Sequence, residues 1–232
     1  MLQEHKLDRQ SAHDAEQAAR LLGLEARFTA RDNDSASRGT AIIVNPALLG
    51  ISREKISFRG GEDGTITTAC IVTPERKFDL ACVYLPSDPR ERVVMIDNIA
   101  RNKWITTTTI LEGDHNMVAD LGRETEGRGA YENTGAQVWF RHLANKGLID
   151  AEREEAGPRE PLFTRGDDKL GPNVRRTRLD KFMMPEAKSF HQGWQWTVKH
   201  SRGVTSFESD HAPLLAILLI PETRPQGPKK ST

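Results

Sequence analysis

Cysteine is scarce. The chain has 232 residues and only two cysteines, Cys70 and Cys82, too few for the disulfide framework of a small secreted scaffold. Both sit in apolar runs joined by Pro74-Glu75-Arg76-Lys77, so they could face each other across a hairpin, although buried free thiols fit this usage better. No Cys/His cluster has the spacing of a zinc site. Net charge is also missing: 33 Lys+Arg balance 33 Asp+Glu. Overall charge therefore speaks neither for nor against a nucleic-acid partner, and only a local basic patch could. No apolar run approaches the roughly 20 residues of a membrane span, and no apolar core follows the opening Met1-Leu2-Gln3-Glu4-His5-Lys6, as a signal peptide would require. There is no internal repeat. These absences point to a soluble intracellular protein with no membrane partner, long enough for one large domain or two small ones.

What is present reads as many strands with a few helices. Ser11–Leu22 has a helical apolar face of Ala12, Ala15, Ala19 and Leu22, with Ser11 as cap, Asp14 three residues on and Gly23 as stop. Thr40–Val44, Ile51–Phe58, Thr65–Thr73 and Phe78–Leu85 read as strands, and the last three form an antiparallel meander through turns at Gly60–Gly64 and Pro74–Lys77. Asp88-Pro89 starts a second helix with Val93, Ile96 and Ile99 on one face. Thr106–Leu111 is a β-branched strand. A third helix spans about Thr134 to Asn145, with Val138, Phe140, Leu143 and Ala144 as its apolar residues and Gly147 as its stop. Asp150–Pro172 reads mostly as loop, and Arg178–Met184, Trp194–Val198 and Leu214–Ile220 as the last strands. The tail from Pro221 is Pro- and Lys-rich and reads as disordered. Sheets layered with helices outside fit this order best.

Polar islands interrupt this pattern at the ends of apolar runs. Asp210-His211 stands immediately before the apolar run Leu214–Ile220, where unpaired charge is expensive to bury. Gly113-Asp114-His115-Asn116 follows another strand and could equally be an Asx turn. Asp180 lies within a strand-like run and could pair with Arg178 or Lys181. Tyr84, before Leu85-Pro86, could be a packed aromatic with a hydrated hydroxyl. Glu4 alone reads as a surface acid. Strand ends of neighbouring sheets converge on one rim, so these carboxylates would gather and repel, by roughly 4 kcal/mol for two unit charges about 4 Å apart at an effective dielectric near 20. A divalent cation removes that penalty, and Asp, Glu and Asn oxygens suit Mg²⁺ or Mn²⁺.

In order along the chain, Leu2-Gln3-Glu4, Val83-Tyr84-Leu85-Pro86, Gly113-Asp114-His115-Asn116, Gly147-Leu148-Ile149-Asp150, Arg178-Leu179-Asp180 and Ser209-Asp210-His211 resemble the motifs of the endonuclease/exonuclease/phosphatase family, the DNase I-like superfamily. The start, with Ser35-Ala36-Ser37-Arg38-Gly39, looks most like the endonuclease part of non-LTR retrotransposons. The resemblance covers nearly the whole chain, about residues 1–220. It implies an α/β fold, a four-layered α/β/β/α sandwich of two mostly antiparallel sheets. Family members carry a strand with a metal-holding Asn or Asp before the Gln-Glu motif. Met1 stands two residues before Gln3, so the expectation is a sandwich lacking that first strand and that ligand.

The same resemblance implies metal-dependent phosphodiester hydrolysis. His211 would be the general base, and Asp180 would orient it. Glu4 would hold Mg²⁺ or Mn²⁺ with Asp210 assisting, and Asp114, Asn116 and His211 also belong to the implied metal set. Asp114 would position the nucleophile or supply a proton to the leaving group. Asn116 and Tyr84 would hydrogen-bond the phosphate. Arg165, Lys169, Arg175, Arg176, Arg178 and Lys181 make 165–181 locally basic, which suits a DNA backbone, and His5, Lys6 and Arg38 could add to that rim. Trp194 and Trp196 could stack on bases or simply pack. A DNA endonuclease of retrotransposon type, nuclear if so, is the first expectation. The alternatives are an enzyme of the same fold acting on a small-molecule or lipid phosphate, and an inactive truncated fragment of a retroelement.

Overall fold

A computed structural model gives the fold, and the residues it describes are 1–31, 38–61, 63–74, 76–127, 131–156, 163–165, 176–186, 195–200, 211 and 214–219. The expected disordered tail lies outside them. In chain order the elements are β1 (Leu2–Gln3), α1 (Arg9–Leu21), β2 (Glu25–Thr29), β3 (Thr40–Val44), a 3₁₀ turn (Arg53–Lys55), β4 (Ile56–Gly60), β5 (Ile66–Val72), β6 (Lys77–Tyr84) and α2 (Pro89–Arg101). There follow β7 (Thr109–Asp114), α3 (Leu121–Glu124), β8 (Thr125–Glu126), α4 (Ala136–Asn145), β9 (Leu148–Asp150), α5 (Ala151–Ala156), β10 (Arg176–Thr177), β11 (Asp180–Pro185), β12 (Gln195–His200) and β13 (Leu214–Leu219).

The centre is a six-stranded sheet in the order β4-β5-β6-β7-β11-β9. Its β4-β5-β6 part is the expected antiparallel meander. β6 and β7 run parallel, because α2 carries the chain back across the sheet between them, as a parallel pair requires. Against one face lie α2 and α4. Ile96, Ile99, Trp139 and Leu143 of these helices pack with Ala81, Val83, Leu111 and Met183 of the sheet. Against the other face lie β2-β3-β1 and the β12-β13 pair, and there Ile42 and Val44 share a core with Ile71, Cys82, Phe182, Met184, Leu214, Ala216 and Leu218. Helix α1 packs on β2. The result is the expected mixed α/β sandwich in layers. β1 crosses β6 and β7 while β13 packs on β11. Among the described residues, β1 is bonded only to β3 and β13 only to β12. Among the described residues this layer is thus in two parts.

Several local expectations are corrected. Helix α1 starts earlier than Ser11: the Asp8 carboxylate accepts from the Ser11 amide at 2.7 Å, making Asp8 the cap, because an acid there meets an otherwise unpaired first-turn amide. Leu22 is the C-cap, not part of the buried face, and is 78% exposed. In α4 the docking residue is Trp139, fully buried, while Val138 is 63% exposed. Val93 of α2 is likewise exposed. Within the expected Asp150–Pro172 loop, Asp150 ends strand β9 and Ala151–Ala156 is a helix. Cys70 lies opposite Asp79, and Cys82 opposite Thr67. The two thiols therefore do not face each other, and both are free.

Candidate active site

The register of β7 against β11 builds the site. Asp180 is the direct partner of Asp114 across this antiparallel pair, and both carboxyls are buried. β7 can reach this position because Gly113 has no side chain: a Cβ there would lie 1.9 Å from the Val83 carbonyl oxygen of β6. Beyond Asp114 the chain makes an Asx turn. The Asn116 amide donates to Asp114 Oδ1 at 2.7 Å, and Asn116 Nδ2 donates to Asp114 Oδ2 at 3.1 Å and to the Leu85 carbonyl at 2.8 Å. Asn116 sits at φ +46°, a left-handed conformation that Asn tolerates better than most residues. The turn reading and the functional reading are thus compatible, since the turn fixes both polar side chains at the strand end.

His211 Nδ1 lies 2.7 Å from Asp180 Oδ2. A carboxylate in its ionised form only accepts, so this contact favours the imidazole tautomer that carries its proton on Nδ1. A β-bridge to Arg165 fixes the His211 backbone. Asp114 is pushed well above the ordinary carboxylate range, first by burial and then by the Asp180 charge, while His211 draws it back. The Tyr84 hydroxyl bonds to the Glu4 carboxylate, and burial with that contact raises its pKa. The Glu4 charge also reaches Asp114. The structure therefore brings Glu4, Tyr84, Asp114, Asn116, Asp180 and His211 together. Asp210, Trp194, Lys169 and Arg175 lie outside the described residues, as does the Trp196 side chain.

The basic segment is largely not what its composition suggested. Arg178 and Lys181 are buried, and neither pairs with Asp180. Arg178 Nη1 and Nη2 bond Asp150 at 2.6 and 2.7 Å, Nε bonds Glu152 at 2.7 Å, and Nη1 bonds Glu124 at 2.9 Å. Lys181 Nζ donates to the Arg178 carbonyl at 2.6 Å and lies 3.3 Å from Glu124. Arg176 pairs with Glu126. Arg38, also buried, pairs with Glu91, and His5 Nε2 lies 3.2 Å from the Thr29 carbonyl. Arg165, exposed, stands beside His211.

Sequence reasoning missed further polar groups. The buried Thr164 hydroxyl accepts from both the Leu179 and Asp180 amides at 3.0 Å. Glu112, on the Asp114 side of β7, is buried against Gln3 and Cys82, and burial pushes it up to about 7. His115 is fully buried, accepts from Trp139 Nε1 at 2.7 Å, and is pushed down to about 3 by burial. A charged residue in the middle of a strand was the available signal for Glu112. Thr164 gave none.

Asp114, Asp180 and His211 each offer a ligand atom, all within 4.8 Å of one another. Two adjoining buried carboxylates and an imidazole fit a divalent cation, which relieves the repulsion that raises Asp114.

The AP endonuclease LMAP from Leishmania major has a similar structure, with a TM-score of 0.67 at 18% identity over 94% of this chain and 77% of that one. The 3'-5' exonuclease NExo from Neisseria meningitidis gives 0.65 at 17% identity over 93% and 87%. The endonuclease domain of TRAS1, a telomere-specific non-LTR retrotransposon, gives 0.55 at 15% identity over 94% and 97%. The chain has the DNase I-like fold. No family model matches its sequence, and no curated protein does. The likeness is thus one of DNase I-like architecture, carried by structure at low identity.

Proposed function

We propose that the chain is a metal-dependent phosphodiesterase that nicks DNA, of the retrotransposon endonuclease type. The observation that carries this reading is the Asp180–His211 pair beside the Asp114–Asn116 turn. Asp180 holds the imidazole by its Nδ1 proton, so Nε2 takes the proton of an attacking water. Asn116 Nδ2 and the Tyr84 hydroxyl, which bond Asp114, Leu85 and Glu4 in the structure, would turn to phosphate oxygens when substrate binds, and Asp114 is kept as a ligand for the cation. Glu4 and Asp114, with Asp180 and His211 in reach, would hold Mg²⁺ or Mn²⁺. When bound, such an ion would neutralise phosphate charge and stabilise the leaving oxygen.

The burial of Arg38, Arg178 and Lys181 withdraws cations that a long DNA contact would use, and this supports a second reading, a smaller phosphate ester as substrate. The test is nicking of supercoiled plasmid with Mg²⁺ by the parent and by His211→Ala. Mg²⁺-dependent nicking that is lost in the variant is expected; equal rates would overturn the proposal. Release of orthophosphate from an inositol phosphate without nicking would favour the second reading. Turnover of neither, with a melt insensitive to metal, would leave the inactive fragment.

A further inference from the structure

The segment Arg178-Leu179-Asp180-Lys181 is held from four sides. The Thr164 hydroxyl accepts from the Leu179 and Asp180 amides, both at 3.0 Å. The His115 amide donates to the Leu179 carbonyl at 3.1 Å, and the Arg178 amide donates to the Glu124 carbonyl at 2.9 Å. Lys181 Nζ turns back onto the Arg178 carbonyl. The Arg178 guanidinium is locked by Glu124, Asp150 and Glu152, which come from three separate elements. Thr164 is itself fixed by its amide, which donates to the Thr177 carbonyl at 3.0 Å. The next residue, Arg165, is the one bridged to His211.

The same short stretch, 163–165, therefore touches both halves of the acid–imidazole pair. Its Thr164 hydroxyl holds the Asp180 backbone, and its Arg165 backbone holds that of His211. Asp180 lies at the first residue of β11, where ladder bonding has only begun, so its direction is not set by the sheet alone. Arg178, two residues before, has no role in charge recognition, because its side chain is sealed among carboxylates.

We propose that Thr164 and Arg178 are positioning residues: Thr164 aligns Asp180 with His211, and Arg178 anchors the segment on which that alignment depends. This inference rests on the phosphodiesterase reading for its kinetic arm, but its structural arm does not. Neither residue touches the reacting atoms. Loss of alignment would leave substrate binding intact and slow the chemical step, since a displacement near 1 Å can reduce rate by about 100-fold. A purely structural role would lower the melting temperature and leave kcat unchanged in the protein that remains folded.

The experiment uses the full chain as parent, Thr164→Val, Thr164→Ser and Arg178→Lys. Two-bond ¹H–¹⁵N spectra of histidine-labelled protein report the His211 tautomer, and Mg²⁺-dependent nicking gives kcat and KM. The parent is expected to hold His211 in the Nδ1-protonated form. Thr164→Val is expected to average the tautomers and to reduce kcat roughly 10- to 100-fold at unchanged KM. Thr164→Ser restores both readouts, because it keeps the hydroxyl. Arg178→Lys, which keeps charge but not the planar fork, falls between. An unchanged tautomer in Thr164→Val and Arg178→Lys would overturn the inference, and so would a parent in which His211 shows no tautomer preference. If the parent does not nick DNA, the function reading fails, and the spectra still decide the alignment.

Discussion

Asp114 and Asp180 stand directly opposite one another on β7 and β11, both buried, and burial together with the Asp180 charge raises the Asp114 pKa. Cation binding at this pair favours the ionised form of Asp114, so affinity grows as pH rises through the raised Asp114 value. The stabilisation of the parent by Mg²⁺ or Ca²⁺, read as a shift in melting temperature, is expected to be larger at about pH 8 than at about pH 5. Asp114→Asn removes both the repulsion and one ligand. It should melt higher than the parent without metal and gain less from metal. A metal shift independent of pH would count against this pair as ligands.

Asp180→Asn keeps the shape of the side chain but can present an amide donor to His211 Nδ1, favouring the wrong tautomer. Mg²⁺-dependent nicking should fall by roughly 100- to 10,000-fold with little change in KM. Stability should change little or rise, since one of two adjoining buried charges is gone. A variant nicking within a few-fold of the parent would show that His211 does not act as a base oriented by Asp180.

Glu112 and His115 give opposing pH dependences. Glu112 is raised from 4.5 to about 7 when folded, so its contribution is fully present below the unfolded value and is lost as pH rises toward 7. His115 is lowered from 6.5 to about 3, so its contribution is present above 6.5 and is lost as pH falls. Between about pH 8 and pH 5 each is worth about 2 kcal/mol, with opposite sign, and the parent should change little across the window on their account. Glu112→Gln is expected to make the protein less stable at pH 5 than at pH 8. His115→Phe is expected to do the reverse. Denaturant midpoints at the two pH values measure both, and parallel profiles for the two variants would refute the assignment.

Arg178 sits among Glu124, Asp150 and Glu152 with its side chain 2% exposed. Arg178→Met leaves these carboxylates without their shared cation, and loss of one partner from a buried ion cluster typically costs about 3–5 kcal/mol. Adding Asp150→Asn and Glu152→Gln to Arg178→Met removes two stranded charges and should recover much of that loss. Thermal melts of the single and triple variants test this. An additive or deeper loss in the triple variant would mean that the cluster is not a charge balance.

How far the sequence revealed these features follows from the range of each signal. Asp88-Pro89 marked the start of α2 because cap and proline act within one turn, and Thr40–Val44 was evident from its β-branched run. The acids at strand ends were recognisable for the same local reason. β2 was not, because Glu25-Ala26-Arg27-Phe28-Thr29 alternates too weakly to read as a strand. Trp139 was passed over in favour of Val138 because a helical face read from a few apolar residues can be wrong by one position. Arg178 was misread as a DNA contact because its partners Glu152, Asp150 and Glu124 lie 26, 28 and 54 residues away. A basic side chain looks the same in sequence whether it faces phosphate or a buried carboxylate.

Gly113 limits how β7 meets β6, and therefore where Asp114 ends up. A Cβ at this position would meet the Val83 carbonyl oxygen at 1.9 Å and its carbonyl carbon at 2.8 Å. Both are backbone atoms in the paired β6–β7 ladder, where Val83 is the direct partner of Gly113, so neither can swing away as a side-chain tip would. Gly113→Ala must push the strands apart just before Asp114, straining the Leu85 amide bond to the Asp114 carbonyl and the Asn116 contacts. Overpacking of this kind costs typically 1–3 kcal/mol and more when backbone must move, so a loss of about 3 kcal/mol or more is expected by denaturant titration. Activity should fall even at temperatures where the variant remains folded. Gly127, in the exposed turn after β8 at φ +100°, is the control: its alanine variant should lose stability through backbone strain and leave nicking unchanged. Loss of nicking in both variants to the same degree would detach the effect from the β6–β7 approach.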